Sequence, residues 1–443
     1  MAKVSTKYEC SDCGTQSPVS MGRCPRCGNW GTMEAVTAPS VSRTVSSKRN
    51  AFETEVKTLS EVEDTKLLRS PSGIGEVDRV LGGGWVAGSV LLLAGEPGIG
   101  KSTLLLQLAH HATEAQKTLL YVAGEESLSQ VKMRAERLSV GGTMQLTREI
   151  DARVLADHIR LHAPDLVIVD SVQTLLADDS GTPGSLTQVR DGTALLTQAA
   201  KDANATLVLI GHVTKQGSIA GPKVIEHMVD ATLALESASG FRVLRAIKNR
   251  FGPAGEMGVF EMGEDGMRPV DNPSEAFLAE RPQGVPGSAV VAALEGQRPL
   301  LLEVQALAAK SPYASPRRIV QGLDQRRVDV VLAVLERRLE LPLAGLDVYV
   351  NVAGGLRITD PGADLAVALA VYSAITNRPV PPKTAVVGEV GLAGELRSVS
   401  QLTRRASEAK RAGFDHFIGP VSKEIKSELR SLKKALDAVW GDV

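Results

Sequence analysis

The sequence predicts an α/β protein built on a parallel sheet, and three observations carry that prediction. Short apolar runs rich in Val, Leu and Ile alternate with helical patterns between residues 57 and 280. One of those runs leads into a glycine-rich stretch, GEPGIGKST (95–103), which itself opens a helical pattern. All four cysteines fall within the first 27 residues, marking a separate small module ahead of the sheet.

Composition sets the outer limits. A chain of 443 residues is expected to form two or three domains. Hydrophobic content of 43% and charged content of 23% describe an ordinary globular protein, and with aromatics at 3% its cores must be aliphatic. The net charge of −1 gives no global basic field, so contact with nucleic acid has to come from local patches. No apolar run reaches the roughly 18 residues that cross a bilayer, and MAKVSTKYEC has no apolar signal region. A cytoplasmic protein with no membrane partner is expected.

Taken in order, residues 1–33 are rich in Cys and Gly. Residues 34–56 are rich in Ser, Thr, Val and Ala and read as a linker. Within 57–280, SVLLLAG, TLLYVAG, DLVIVD, TLVLIGHV and ATLALE have the continuous apolar character of buried parallel strands. KSTLLLQLAHHATEA and SLSQVKMRAERLS are the helices between them, which is the alternation of a parallel α/β core. AERPQGVPG (279–287) is a second linker. From about 285 to 443 a further α+β region follows. There AVVAALEG and PLLLEVQAL suit a hairpin, LDVYVNVAGG a strand and TAVVGEVGLAGEL another strand region, while DLAVALAVYSAI suits a buried helix. QRRVDVVLAVLERRLEL places Val328, Val331, Leu332, Leu335 and Leu339 on one helical face.

Gly95, Gly100, Lys101 and Ser102 match G-x-x-x-x-G-K-[ST]. Glycines let backbone N–H groups close around phosphates. The whole stretch Gly95, Glu96, Pro97, Gly98, Ile99, Gly100, Lys101, Ser102 and Thr103 is therefore the expected ATP cradle. Lys101 neutralises the β and γ phosphates and Ser102 ligates Mg²⁺. Asp170, ending DLVIVD, is placed to ligate or orient that Mg²⁺. Hydrolysis also needs a carboxylate to orient water, and Glu125 and Glu126 both follow a strand at the end where ligands bind.

The cysteines pair as CSDC (10–13) and CPRC (24–27). Two-residue spacing lets both thiolates of a pair reach one ion. Cys10, Cys13, Cys24 and Cys27 therefore predict a closed, structural Zn²⁺ site that stabilises a segment too short to fold on its own apolar surface. Lys7, Arg23 and Arg26 surround it.

The strand order, with a loop strand, a strand followed by Glu and a strand ending in Asp-Ser, resembles the RecA-like ATPases. The resemblance gives Glu125 the water-activating role and His212 the place of a γ-phosphate sensor. It sets ADDSGTPGS (177–185) and TKQGSIAGPK (214–223) as DNA-facing loops, with Lys215 and Lys223 as phosphate contacts. With KNRFG (248–252), the cysteine pairs and GEPGIGKST together, the chain resembles the bacterial RadA (Sms) family from Cys10 to about Pro420. That resemblance implies a homo-hexameric ring related to replicative helicases, acting in DNA repair and recombination. It implies single-stranded DNA and branched recombination intermediates as substrates, RecA recombinase as a partner, and Lys248 and Arg250 as catalytic cations.

The region after residue 285 resembles the proteolytic domain of Lon. Asp360-Pro361-Gly362-Ala363-Asp364 puts Ala363 at the nucleophile's place, and Ser400-Gln401-Leu402-Thr403 puts Thr403 at its lysine partner's. A hydroxyl nucleophile needs an adjacent base, so an inactive protease fold is expected. An ATP-dependent protease or unfoldase is the alternative activity, and a DNA-binding scaffold with a switching ATPase is a third. Arg317, Arg318, Arg326, Arg327, Arg404, Arg405, Lys410 and Arg411 offer a DNA-facing surface or ordinary solvated helix faces.

Overall fold

The computed structural model describes residues 6–37, 69–179, 182–212, 225–238, 240–313 and 315–441. Most of the expected linker, the loop 214–223 with Lys215 and Lys223, and Ser180 and Gly181 of the loop 177–185 lie outside the described residues. The chain forms two compact units: Met1–Pro71 with Trp85–Ala94 and Leu105–Ala231, and Ser72–Gly84 with Gly95–Leu104 and Thr232–Val443.

In the first unit, the strands Val90–Gly95, Thr206–His212, Leu166–Asp170, Leu119–Ala123 and Gln145–Thr147 lie side by side in that order. Leu119–Ala123 pairs in parallel with both Gln145–Thr147 and Leu166–Asp170, and Leu166–Asp170 in parallel with Thr206–His212. Leu119–Ala123, Leu166–Asp170 and Thr206–His212 are buried along nearly their whole length because helices cover them, which is why their sequences read as unbroken apolar runs, whereas the edge strand Gln145–Thr147 is partly exposed. Helices Ala152–His162 and Leu186–Asp202 supply Leu155, Ile159 and Leu196 to a core shared with Leu120, Val167 and Leu207. Asp151 and Ser185 cap these two helices through their side chains, which fixes where each begins.

The first unit also carries the N-terminal ribbon. Thr6–Cys10 is the middle strand, antiparallel to Gln16–Ser17 and Met33–Thr37.

The second unit contains an antiparallel run in which Met257–Gly263 pairs with both Phe241–Asn249 and Gly266–Pro269. It also contains a six-stranded sheet ordered Arg318–Gln321, Leu346–Val352, Arg298–Lys310, Ser288–Glu295, Thr384–Val386, His416–Ile418. The hairpin expected there is present, with Glu295 opposite Arg298. Helix Asp364–Thr376 is buried at every position from 364 to 373, as a helix apolar on all sides must be. Its side chains share one core with Val331 and Leu335 of helix Gln325–Arg338 and with Val243, Met257 and Val259 of the antiparallel run. The buried Arg298–Glu76 ion pair fastens the same two layers, with Glu76 also accepting the Val259 N–H at 2.9 Å.

Candidate active site and metal centre

The strand into Gly95 and the helix from Lys101 leave five residues to form the phosphate loop. Gly98 and Gly100 have φ of +75° and +114°, conformations that L side chains rarely adopt. A methyl on Gly95 would lie 2.7 Å from the Leu235 carbonyl oxygen, and one on Gly100 would collide with the Met262 and Met267 methyls. Lys101 is 3% exposed, and its Nζ donates to the carbonyls of Gly95 and Glu96, both at 2.9 Å. The ammonium is thus held over the loop by the loop's own backbone. Arg242 of strand Phe241–Asn249 donates from Nε to the Ile99 carbonyl at 3.0 Å, bracing the loop. Glycines at both strained positions and a restrained lysine fit a polyphosphate, with Ser102 and Thr103 at the helix N-terminus to receive it.

The carboxylates lie in the first unit. The Ser171 hydroxyl donates to Glu125 Oε1, and His212 Nε2 lies 3.1 Å from the same oxygen. Glu125, Ser171 and His212 come from three adjacent strand ends and form one cluster. His212 Nδ1 is buried and has no hydrogen-bond partner among the described residues. Glu126 instead pairs with Arg134 of its own following helix. The two acids thus have different partners. The Tyr121 hydroxyl donates to Asp170 Oδ2 at 2.9 Å. Burial, then the adjacent Asp170 charge, push the phenol well above its ordinary value, so it remains a donor that fixes the carboxylate.

Sequence reasoning missed Tyr121 and gave Ser171 no role. The alternation of strand residues was the available signal, since Tyr121 and Asp170 face the same way from neighbouring strands. Asn249 was missed as well. Its Nδ2 donates to the Leu81 and Val80 carbonyls at 3.2 and 3.4 Å, and its Oδ1 accepts the Phe251 N–H at 2.9 Å. Lys248 and Arg250 are therefore oriented by the residue between them, clamped to the end of helix Gly75–Leu81. Gly252 approaches Gly82 and Leu81 closely enough to leave a Cβ only 3.3 Å from each.

The first half of the loop 177–185 is pinned. Gln188, 2% exposed, accepts the Ala177 N–H and donates to Asp178 Oδ1 at 2.9 Å. In the C-terminal region, Arg405 is withdrawn from any DNA-facing surface, and Arg327 and Arg411 are engaged by acids while remaining at the surface. Arg405 is 0% exposed and is paired with Asp360, Arg327 is bidentate to Asp364, and Arg411 pairs with Glu408. Helical spacing puts Arg405 on the inward face, where a guanidinium has to be compensated. Asp360 also accepts the N–H groups of Leu294 and Gly362, both at 2.9 Å. Ala363 is buried, and Thr403 donates to Glu424 at 3.2 Å.

The ribbon forms a metal centre. Both cysteine pairs are followed by a glycine with positive φ, Gly14 at +67° and Gly28 at +78°. The Gly14 and Gly28 N–H groups donate back to the Cys10 and Cys24 carbonyls at 2.9 and 3.0 Å, so the two knuckles share one geometry. A tetrahedron with metal–sulfur bonds of about 2.3 Å has edges of roughly 3.8 Å. The Cys10–Cys27 and Cys13–Cys24 sulfurs are 3.6 and 3.5 Å apart, and all four lie within 4.8 Å of one another. Hydrogen bonding by Thr15 lowers the Cys13 thiol to about 6. The Asn29 backbone favours the Cys27 thiolate too, but desolvation and the three neighbouring thiols push Cys27 up to about 12. Four sulfurs this close ionise together only around a cation, so the donor set fits a tetrahedral dication.

A phosphate loop, a carboxylate cluster at adjacent strand ends and a four-cysteine ribbon define a P-loop ATPase with an N-terminal metal-binding module. The comparisons agree region by region. Residues 56–218 match the AAA domain family, 8–35 the rubredoxin metal binding domain, and 322–423 the subunit ChlI of Mg-chelatase. Over its length the chain is similar to the DNA repair protein RadA of Bacillus subtilis, 43% identical over 95% of this chain and 94% of that one. It is also 45% identical to that of Brucella abortus, over 94% and 91%, and 44% identical to that of Mycobacterium tuberculosis, over 96% and 90%. The chain belongs to the RadA family. A KaiC-like protein of Pyrococcus horikoshii is 18% identical with a TM-score of 0.39, covering 46% of this chain and 99% of its own. Among the described residues no helix is long and apolar enough to cross a membrane.

Proposed function

We propose that this protein is a DNA-dependent ATPase of repair and recombination that moves as a ring on single-stranded DNA and advances the branches of recombination intermediates. The observation that carries the ATPase assignment is Glu125 held by Ser171 and His212 at adjacent strand ends. A carboxylate oriented in this way positions a water for attack on a γ-phosphate. The loop 95–103 holds the phosphates, with Lys101 against the charge that develops during transfer. Ser102 and Asp170 are the residues that would hold Mg²⁺, which supplies neutralisation of the phosphate oxygens. His212 reads the γ-phosphate. Zn²⁺ is the ion of the ribbon.

The DNA substrate is supported by relatives that carry the name DNA repair protein, and a hexameric ring and RecA recombinase as partner are part of the same reading. The working divisions are 1–33, 57–280 and 285–443, and the place of action is the cytoplasm. Lys248 reaches the nucleotide of a neighbouring subunit, where a cation stabilises transition-state charge, and couples hydrolysis to DNA movement, while Arg250 contacts phosphate or DNA nearby. The C-terminal domain cleaves no peptide bonds: Ala363 offers a methyl, and Asp360 is saturated by Arg405 and two backbone N–H groups.

The test is a mixing experiment with mass measurement of the assembly. Lys101→Ala and Lys248→Ala proteins are each inactive alone. Mixed, they regain ATPase activity, because some interfaces join an intact loop to an intact finger. Absence of recovery in rings that exchange subunits places Lys248 outside a shared site.

A further inference from the structure

Strand Arg318–Gln321 lies at the edge of the six-stranded sheet, and among the described residues no strand pairs with its outer side. It ends at Gly322, whose φ of +78° turns the chain into the wall of a cavity of about 230 Å³. Leu323, Val328, Val331, Ile358, Ala363 and Val367 give that cavity its apolar lining. It is smaller than the roughly 300–1,000 Å³ of small-molecule sites, and suits a single side chain.

The charge around it is uneven. The acids lining the cavity are committed within the protein: Asp324 caps the helix through the Arg327 N–H, Asp364 is held by the Arg327 guanidinium, and Asp360 by Arg405. Arg317, Arg326 and Arg357 are exposed, and Arg318 half-buried, with no ion pair among the described residues. Arg317 stacks on the Tyr313 ring at 4.3 Å, which holds its charge beside the strand.

We propose that this sheet edge and the cavity at its end together bind an extended acidic segment of a partner protein, without cleaving it. The partner's backbone pairs with the edge as an added strand, one apolar side chain enters the cavity, and its carboxylates meet the exposed arginines. Nucleic acid would satisfy the arginines alone, since phosphates have no use for a strand edge or an apolar socket. No Ser, Cys or Lys lines the cavity; its one hydroxyl is Thr359, with no Lys or His in the lining to activate it.

The probe is a fluorescein-labelled eight-residue peptide alternating Glu with Val and Leu, titrated into the full-length protein by fluorescence anisotropy. Saturable binding is expected, weakened at least tenfold by Ala363→Leu, which fills the cavity, and by Arg317→Glu with Arg357→Glu, which reverses exposed charge. ATP turnover stays at the wild-type rate in both variants, the peptide is recovered intact by mass spectrometry, and saturating oligo-dT leaves it bound. The charge-reversal pair lies on the surface and keeps the test valid if Ala363→Leu does not fold. Absence of saturable binding overturns the proposal, as does unchanged affinity in the charge-reversal variant. Displacement by oligo-dT overturns it too and assigns the surface to nucleic acid.

Discussion

Removing one hydroxyl tests how Glu125 is held. Ser171→Ala deletes the donor to Glu125 Oε1 and keeps the contact with His212 Nε2, 3.1 Å away. A hydrogen bond to a charged group contributes about 1.5–3 kcal/mol. At about 1.4 kcal/mol per tenfold in rate, its full loss from the transition state is worth roughly 10- to 150-fold in turnover. Because His212 persists, the lower end is expected, a fall in kcat of about tenfold. The KM for ATP should change little, since Ser171 belongs to the carboxylate cluster rather than to the phosphate loop. The assay is steady-state phosphate release with saturating single-stranded DNA. Ser171→Thr keeps a hydroxyl and should restore most of the rate. Ser171→Ala with His212→Ala should fall further than the product of the single effects, because both donors act on one oxygen. Turnover within twofold of wild type for Ser171→Ala, alongside an inactive Glu125→Gln, would refute the reasoning: the hydrogen bond would then have no part in positioning the base.

Three further outcomes follow from the structure. Metal analysis should return one Zn²⁺ per chain, and a strong chelator should abolish ribbon structure, because the four thiols of residues 10–27 have no other means of sharing so small a volume. Asp360→Asn should destabilise the protein by about 3–5 kcal/mol in urea unfolding, since it leaves the buried Arg405 uncompensated, whereas Asp360→Asn with Arg405→Met should recover much of that loss. The Arg153 side chain holds Asp151 down at about 2, so the pair stabilises the fold above the unfolded carboxylate value near 4 and loses that contribution as pH falls towards 2; thermal melts should show Asp151→Ala costing about 1 kcal/mol at pH 7 and progressively less below pH 4.

The phosphate loop, the buried strands and the metal knuckles were legible because each is a local pattern. Strand ends expected at Gly95 and Asp170 fall there, since burial on both faces makes the apolar run and the strand the same length. Pairings between distant residues were not legible. Tyr121 with Asp170 and Asn249 with Leu81 join positions whose proximity depends on strand order and on packing against a helix end. Charge was the weakest guide. Arg404 and Arg405 are neighbours in sequence, yet one is exposed and the other buried against Asp360, because a helix turns by about 100° per residue. A list of cations cannot distinguish a surface from a buried ion pair.

The central claim, that ATP hydrolysis moves DNA strands, is tested most directly by following branch position in a three-strand junction labelled with a fluorophore and quencher. With ATP the wild-type protein should drive the branch in one direction, at a rate that scales with phosphate release. Glu125→Gln should bind the same junction and leave the branch in place. Equal branch movement by wild type and Glu125→Gln, or hydrolysis without directional movement, would contradict the account and identify the ATPase as a conformational switch.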